Sequence, residues 1–237
     1  MKKISIIIPC YNEAGLISQI LDKVLHISLN NNLEKEVIVV NDGSTDNTSS
    51  VVNSIIQKEP LVKVIHQVKN SGKGVAIRSA LEIISGDIVI IQDADLEYDP
   101  RDYNKMLQPM IDGYADVVYG SRFTGEGPHR VLFFFHTIGN KFLTFLSNLF
   151  TGLNLTDMET GYKMFRTELL KDISLKEKRF GFEPEVTAKI SRIKNIRIYE
   201  VGIAYYGRTY KEGKKINWAD GFHAIWCILK YNIFFRK

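Results

Sequence analysis

Five short apolar runs separated by four stretches of helical period fill the first 120 residues, and this alternation leaves few architectures open to the chain. The runs are Ile4 to Pro9, Glu36 to Asn41, Val62 to His66, Asp87 to Gln92 and Asp116 to Gly120. The helical patterns fall near Gly15 to Ser28, Asp46 to Gln57, Gly74 to Ile84 and Pro100 to Tyr114. Strands alternating with helices of this length need crossover connections, so the pattern predicts an α/β fold with a mainly parallel sheet in a Rossmann-like half. After residue 120 the rhythm changes. An aromatic-rich stretch from Phe133 to Phe150 is followed by a turn-rich segment near Thr160-Gly161. A helix around Pro184 to Ile193, a strand near Ile196 to Tyr205 and a final helix complete the chain. No Pro- or Ser-rich linker, repeat or low-complexity tract separates the parts, so one domain over residues 1–237 is expected, with halves at 1–120 and 121–237.

Composition narrows the function. At 237 residues the net charge is +4, too mild for a nucleic-acid protein when spread over the surface. The excess is local: from Arg208 onward seven basic residues (Arg208, Lys211, Lys214, Lys215, Lys230, Arg236, Lys237) face two acids, Glu212 and Asp220. Cys10 and Cys227 stand far apart without CxxC or histidine spacing, which points away from a disulfide framework or a zinc site and toward a reducing compartment. Met1-Lys2-Lys3 and the apolar run after it end at Asn12-Glu13, too short for a signal peptide and suited to a buried first strand. The most apolar stretch, Val131 to Phe150, is broken by His136, Asn140 and Lys141, so an interfacial helix is expected there and a spanning one is not.

Ligands of open α/β sheets bind beyond the carboxyl ends of the strands. Those ends are polar here: Pro9-Cys10-Tyr11-Asn12-Glu13, Asn41-Asp42-Gly43-Ser44, Asp93-Ala94-Asp95-Leu96-Glu97 and Gly120-Ser121-Arg122. Each alone also reads as a turn or a helix cap. In extended chain, Asp93 and Asp95 point the same way, and two carboxylates that close repel. A hard divalent cation, Mg²⁺ or Mn²⁺, resolves that repulsion, and Glu97 is a third candidate ligand. Asn70-Ser71-Gly72-Lys73-Gly74 precedes a helix start, which favours anions, but it matches neither the Walker spacing nor GxGxxG.

Taken in order and spacing, these motifs resemble family 2 glycosyltransferases of the GT-A fold. Gly120-Ser121-Arg122-Phe123, His129-Arg130, Asp157 with Thr160-Gly161-Tyr162, and Gly207-Arg208 with Gly213-Lys214 resemble the branch containing dolichyl-phosphate mannose synthases and related polyprenyl-phosphate glycosyltransferases. The resemblance implies that Pro9, Tyr11, Glu13 and Asp42 hold the nucleoside, with Lys73 and Asp93 also on the nucleotide. It implies that Asp93, Asp95 and Glu97 surround the metal and diphosphate, and that Arg122, Arg130 and Arg208 contact the acceptor phosphate. Asp95, Arg122 and Arg208 are the expected catalytic residues. Position 97 carries Glu where Gln is frequent, and the chain ends at Lys237 without the paired transmembrane helices some relatives append.

The chemistry that follows is hexosyl transfer with inversion from a nucleotide sugar, GDP-mannose or a UDP-hexose, to a polyprenyl phosphate (dolichyl or undecaprenyl). A phosphate monoester has a second pKa near ~6 and is already an anion at neutral pH, so guanidinium groups suffice to place it. The absence of QxxRW, frequent in hydroxyl-acceptor members, points the same way. A lipid acceptor implies a meeting with the bilayer. Residues 131–150, with twelve of twenty apolar, and 217–235, with Trp218, Phe222, Ile225, Trp226, Leu229 and Ile233 at helical intervals, are the expected amphipathic helices, although core packing explains such stripes equally. The expected location is peripheral, at the cytoplasmic face of the membrane, where a membrane-protein partner is a further expectation. Two alternatives stay open: transfer to a saccharide hydroxyl with Glu183 or Glu185 as base, and an inactive nucleotide-sugar-binding scaffold.

Overall fold

The computed structural model of the chain describes residues 1–125, 127–131, 134–209, 212–213 and 218–235. Phe133, Lys211, Lys214, Lys215, Arg236 and Lys237 of the aromatic stretch and basic tail lie outside the described residues. The first half follows the expected alternation: β1 (Lys3–Cys10), α1 (Ile17–His26), β2 (Glu34–Asn41), α2 (Thr48–Ile56), β3 (Val62–His66), α3 (Lys73–Leu81), β4 (Ile88–Ile91), α4 (Tyr103–Ile111) and β5 (Val117–Ser121). The rest comprises α5 (Phe134–Thr151), β6 (Lys163–Arg166), α6 (Thr167–Asp172), α7 (Phe182–Ile190), β7 (Ile198–Gly202) and α8 (Trp218–Leu229), which runs on into a π-helical turn at Lys230–Phe234.

The seven strands form one sheet in the order β3-β2-β1-β4-β6-β5-β7. All pairings are parallel except those of β6, which is antiparallel to both β4 and β5. The first five strands therefore do not close into a self-contained Rossmann-like half, because a strand from the second half lies between the fourth and fifth. This insertion shapes the site. An antiparallel strand starts where its neighbours end, so the 157–162 segment entering β6 arrives at the carboxyl edge of β1, β2, β4 and β5. The parallel strand β7 delivers residues 203–208 to the same edge.

Alternation along each central strand feeds two hydrophobic layers. Ile4, Ile6 and Ile8 of β1, Val37 and Val39 of β2, and Ile88 and Ile90 of β4 pack with α1, α2 and α4 on one face. Ile7, Ile38, Val40, Val89 and Ile91 pack with α3, α7 and α8 on the other. Strands buried on both faces read as continuous β-branched runs, which is why they stood out.

The charged exception in the buried part of these strands is Glu36. It accepts hydrogen bonds from Ser5 Oγ (2.6 Å), Ser85 N–H (2.6 Å) and Gly86 N–H (3.0 Å), and pairs with Lys3 at 3.3 Å. Burial alone would raise its carboxyl, but the hydrogen bonds of Ser5 and Ser85 and the Lys3 charge outweigh it and hold the group at about 2. A folded-state value below the ordinary 4.5 means that this stabilisation is complete above pH 4.5 and is lost as pH falls toward 2. Glu36→Gln should flatten that acid limb in urea-unfolding midpoints measured from pH 5 to 2; an unchanged slope would show that Glu36 does not supply it.

Candidate active site

The loops after β1 and β2 are tied to each other. Asn12, left-handed at φ 51°, donates its N–H to Ser44 Oγ (3.0 Å), and its own Oδ1 accepts from Thr45 N–H (2.8 Å). Gly43, at φ 66°, lies so close to the 69–70 backbone that a Cβ would fall 2.6 Å from Lys69 Cα, so only glycine fits. Asp42 is buried, and each carboxylate oxygen accepts one backbone N–H, from Ser71 (2.8 Å) and Gly72 (2.7 Å), which pins the glycine loop before α3. Pro9 and Tyr11 are half-buried at this edge, and Glu13 is buried with its N–H donating to Thr48 Oγ1 at 3.0 Å.

The turn after β4 carries the paired aspartates. Lys73, the first residue of α3, reaches Asp93 Oδ1 at 2.8 Å and Glu183 Oε1 at 3.0 Å. Burial opposes the Lys73 charge, but those two carboxylates raise its pKa above the usual lysine range. Arg208 Nη2 lies 3.2 Å from Asp95 Oδ2 and 3.6 Å from Glu13 Oε1, and its Nε lies 3.6 Å from Glu97 Oε1. Thus two cations are shared by five carboxylates: Glu13, Asp93, Asp95, Glu97 and Glu183. The excess negative charge registers on Asp95, whose carboxyl is pushed up to about 7 by burial and then by Asp93 and Glu97. Gly161 leaves room for this cluster, since a Cβ there would collide with Asp93 Oδ2. Glu97 is held differently: Oε2 accepts from Tyr205 O–H (2.8 Å) and Oε1 from Arg208 N–H (2.8 Å).

The three arginines gather on one segment, Arg122 and Arg130 each with one acid and Arg208 among the three of the pocket. Arg122 grips Asp157 side-on, Nε to Oδ2 and Nη2 to Oδ1 both at 2.7 Å, and its guanidinium lies 5.2 Å from the Tyr205 ring centroid. Arg130 donates its backbone N–H to Tyr205 O (2.9 Å) and its Nη1 to Gly207 O (3.0 Å) and Glu212 Oε2 (2.7 Å). Arg208 closes the segment. Residues 205–208 therefore sit between the acidic pocket and the arginines, with Tyr205 touching both sides.

Sequence reasoning singled out these acids and arginines but missed their supports. Glu159 and Lys163 lie behind Glu183. Burial and then Glu183 raise the Glu159 carboxyl; burial lowers the fully buried Lys163, whose ammonium donates to Thr160 O and lies 5.0 Å from the Tyr119 ring centroid. Gln92 accepts from Tyr103 O–H (2.8 Å) and Tyr162 O–H (3.0 Å) while donating to Asp93 O (3.0 Å), which fixes the backbone under the aspartates. A glutamine ending an all-apolar strand was the available signal. Glu185, one of the two suggested bases, is fully buried and accepts N–H bonds from Lys176 and Glu177, both at 2.7 Å. It braces the 175–177 backbone.

A mostly parallel sheet of this topology, with paired aspartates at its carboxyl edge and an inserted antiparallel strand, is the GT-A fold. The family described as "Glycosyl transferase family 2" matches residues 5–174, and the chain belongs to that family. It is 30% identical over 206 residues to glycosyltransferase AglJ of Haloferax volcanii, covering 86% of this chain and 63% of that protein. It is 28% identical to the UDP-N-acetylglucosamine–dolichyl-phosphate N-acetylglucosaminyltransferase of Methanococcus voltae, covering 96% of this chain and 95% of that protein. To the dolichol-phosphate mannosyltransferase of Pyrococcus furiosus it is 26% identical, covering 90% of this chain and 60% of that protein. The crystal structure of glucosyl-3-phosphoglycerate synthase from Mycobacterium tuberculosis in complex with Mn²⁺, uridine diphosphate and phosphoglyceric acid shares the fold. Its TM-score is 0.75 at 20% identity, over 98% of this chain and 79% of that one.

Proposed function

We propose that this glycosyltransferase moves a hexosyl group, with inversion, from a nucleotide sugar to a polyprenyl phosphate at a membrane surface, with a divalent cation. The observation that carries the reading is the two-sided site: an acidic pocket with more carboxylates than cations, bordered by a segment that gathers Arg122, Arg130 and Arg208. The relatives from Methanococcus voltae and Pyrococcus furiosus, whose names specify dolichyl phosphate, support the same acceptor class.

The acidic pocket fits Mg²⁺ or Mn²⁺. Its donors are carboxylate oxygens, and it already encloses one cationic group, the Arg208 guanidinium, among Glu13, Asp95 and Glu97. Asp95 and Asp93 would hold the ion. When bound, it offsets the charge that develops on the departing diphosphate. The chain supplies the remainder. Asp42 holds the glycine loop in place, and Lys73 brings a fixed positive charge to the helix start beside Asp93. Glu97, with both oxygens engaged, positions the 205–208 segment. The arginines place an acceptor that is already anionic, and no general base is required. A saccharide hydroxyl would require one. Glu185 is committed to backbone, whereas Glu183 gives Oε1 to Lys73 and keeps Oε2 buried without a hydrogen-bond partner, so of the two suggested bases only Glu183 stays open to a hydroxyl acceptor.

The lipid side of the reading rests on α5 and α8, which pack together. Their buried residues, Leu143, Thr144, Ser147, Ala224, Cys227 and Ile228, face inward, whereas Phe134, Phe135, Phe142, Phe145, Trp218, Phe222 and Trp226 face out. Phe135 is 82% exposed and Trp218 79%, too much for core packing to explain the stripes. Among the described residues, no helix is long and apolar enough to cross a membrane. Aromatic faces of this kind suit the headgroup region, and two thiols outside any disulfide favour the cytoplasmic face. The chain should float with vesicles containing anionic lipid. The double substitution Phe135→Ser and Trp218→Ser should weaken that binding at least tenfold, about 1.5 kcal/mol or more for two large apolar groups; equal flotation would remove these helices from the membrane contact.

The direct test is a donor screen with membrane lipid extract and Mn²⁺ or Mg²⁺, following which radiolabelled sugar enters the organic phase. Label in that phase from one nucleotide sugar is the expected result. Label confined to water-soluble saccharide would overturn the reading.

A further inference from the structure

We propose that Glu177, His223 and Cys227 form a second cation site, of the zinc class, which fastens α8 to the loop before α7. The three side chains lie apart from the paired aspartates, and their ligand atoms fall within 4.8 Å of one another. His223 and Cys227 stand one turn apart on α8 and so share a face. That i, i+4 spacing corrects the expectation that no histidine is placed for metal binding beside Cys227.

The geometry distinguishes a cation site from a nucleophile relay. In a relay, a histidine meets the nucleophile through one ring nitrogen and its carboxylate through the other. Here the same atom, His223 Nε2, lies 3.4 Å from Cys227 Sγ and 3.2 Å from Glu177 Oε2. Both partners approach one ring nitrogen, and the sulfur and the carboxylate oxygen lie within 4.8 Å of each other. Zinc bonds of about 2.3 Å to sulfur and about 2.0–2.1 Å to nitrogen and oxygen give tetrahedral edges of about 3.5 Å (S to N) and about 3.3 Å (N to O). The two observed separations are close to those edges before any adjustment.

The surroundings are built to keep the three atoms there. The other oxygen of Glu177, Oε1, accepts from Lys230 Nζ and Tyr231 O–H, both at 2.7 Å, which leaves Oε2 facing the histidine as an oriented single donor. A Cβ on Gly181 would fall 2.7 Å from Cys227 Sγ and 3.0 Å from Glu177 Oε2, so this glycine keeps the cradle open. The His223 side chain is 46% exposed, which leaves a fourth position for water. Sulfur, imidazole and carboxylate donors select a borderline-soft ion over Mg²⁺. On binding, Cys227 gives up its thiol proton to solvent; the thiolate and the Glu177 carboxylate face the ion, and with Lys230 on the other Glu177 oxygen the site keeps one net positive charge.

The anchored loop is also the floor of α3. Glu177 O accepts from Arg78 Nη1 (2.7 Å) and Lys178 O accepts from Gly74 N–H (2.9 Å). A zinc-class ion would thus stiffen the support beneath Lys73 without touching the reacting groups.

The test titrates the metal-free full chain with Co²⁺. One equivalent should bind with a thiolate-to-cobalt charge-transfer band, displaced by Zn²⁺ and unmoved by excess Mg²⁺, and Zn²⁺ should raise Tm. Cys227→Ser should abolish the band. His223→Gln, at a half-exposed position that leaves folding intact, should weaken Zn²⁺ affinity at least tenfold. Absence of the thiolate band in the wild-type chain would overturn the proposal, as would its persistence in Cys227→Ser or unchanged affinity in His223→Gln. Asp95→Asn, which alters the other site, should leave the band in place; its loss would place the cobalt at the aspartates and refute the second site.

Discussion

Asp95→Asn should lower kcat/KM for sugar transfer by about a thousandfold, while thermal stability of the metal-free protein stays level or rises. The two effects separate because Asp95 stands in a crowd of like charge. Burial, Asp93 and Glu97 push its carboxyl up to about 7, so the fold gains little from the anion and loses little with it. Losing Arg208's 3.2 Å partner is tempered by Glu13 and Glu97, each 3.6 Å from the same guanidinium. Activity is another matter. A cation that neutralises a leaving diphosphate is worth several kcal/mol, and about 4 kcal/mol corresponds to a thousandfold in rate. Steady-state kinetics with differential scanning calorimetry on the same samples checks both halves. Retained turnover would remove Asp95 from catalysis, and a large drop in Tm would assign it to the fold.

Asp157→Asn should have the largest effect on stability, about 3–5 kcal/mol, because it leaves the buried Arg122 guanidinium without its charge partner. Asp157 accepts two side-chain hydrogen bonds at 2.7 Å and one from the Arg122 N–H at 3.0 Å; asparagine keeps one acceptor oxygen but turns an NH2 donor against the guanidinium at the other position and removes the negative charge. For a chain of this size the loss corresponds to a fall in Tm of about 10 °C. The apolar double variant Arg122→Met with Asp157→Leu should regain most of that stability, since a buried pair replaced by packed apolar groups is often near neutral. It should not regain transfer if Arg122 also orients the acceptor. A stable double variant with wild-type activity would confine Arg122 to a structural role.

Much of the donor side was legible in the sequence because strands buried on both faces carry unbroken Ile and Val runs, and the polar residues that end them stand out. Asp42, Asp93 and Asp95 were found that way. What escaped notice was β6. Lys163-Met164-Phe165-Arg166 has only two apolar residues, facing opposite layers, between charges that find partners at a distance: Lys163 against Tyr119, and Arg166 with Asp116 at 2.9 Å. No period announces such a strand, yet its insertion brings Gly161 against Asp93. The acceptor arginines and Asp157 were identified by motif, but the ion pair was not, because Arg122 and Asp157 stand 35 residues apart and pair only through the sheet. Glu183 carried a signal that pointed to a base, and the fold places it in the charge cluster with one oxygen on Lys73. The i, i+4 spacing of His223 and Cys227 was passed over because no second cysteine or histidine flanks it, and only the fold brings Glu177 to the pair.

Purified chain with Mn²⁺ and its nucleotide sugar should be offered three acceptors in parallel: a polyprenyl phosphate, the corresponding polyprenol and a free saccharide. Transfer to the phosphate alone, with the anomeric configuration inverted, is the expected result. Transfer to the polyprenol or saccharide at a comparable rate would contradict an arginine-held oxyanion as the nucleophile.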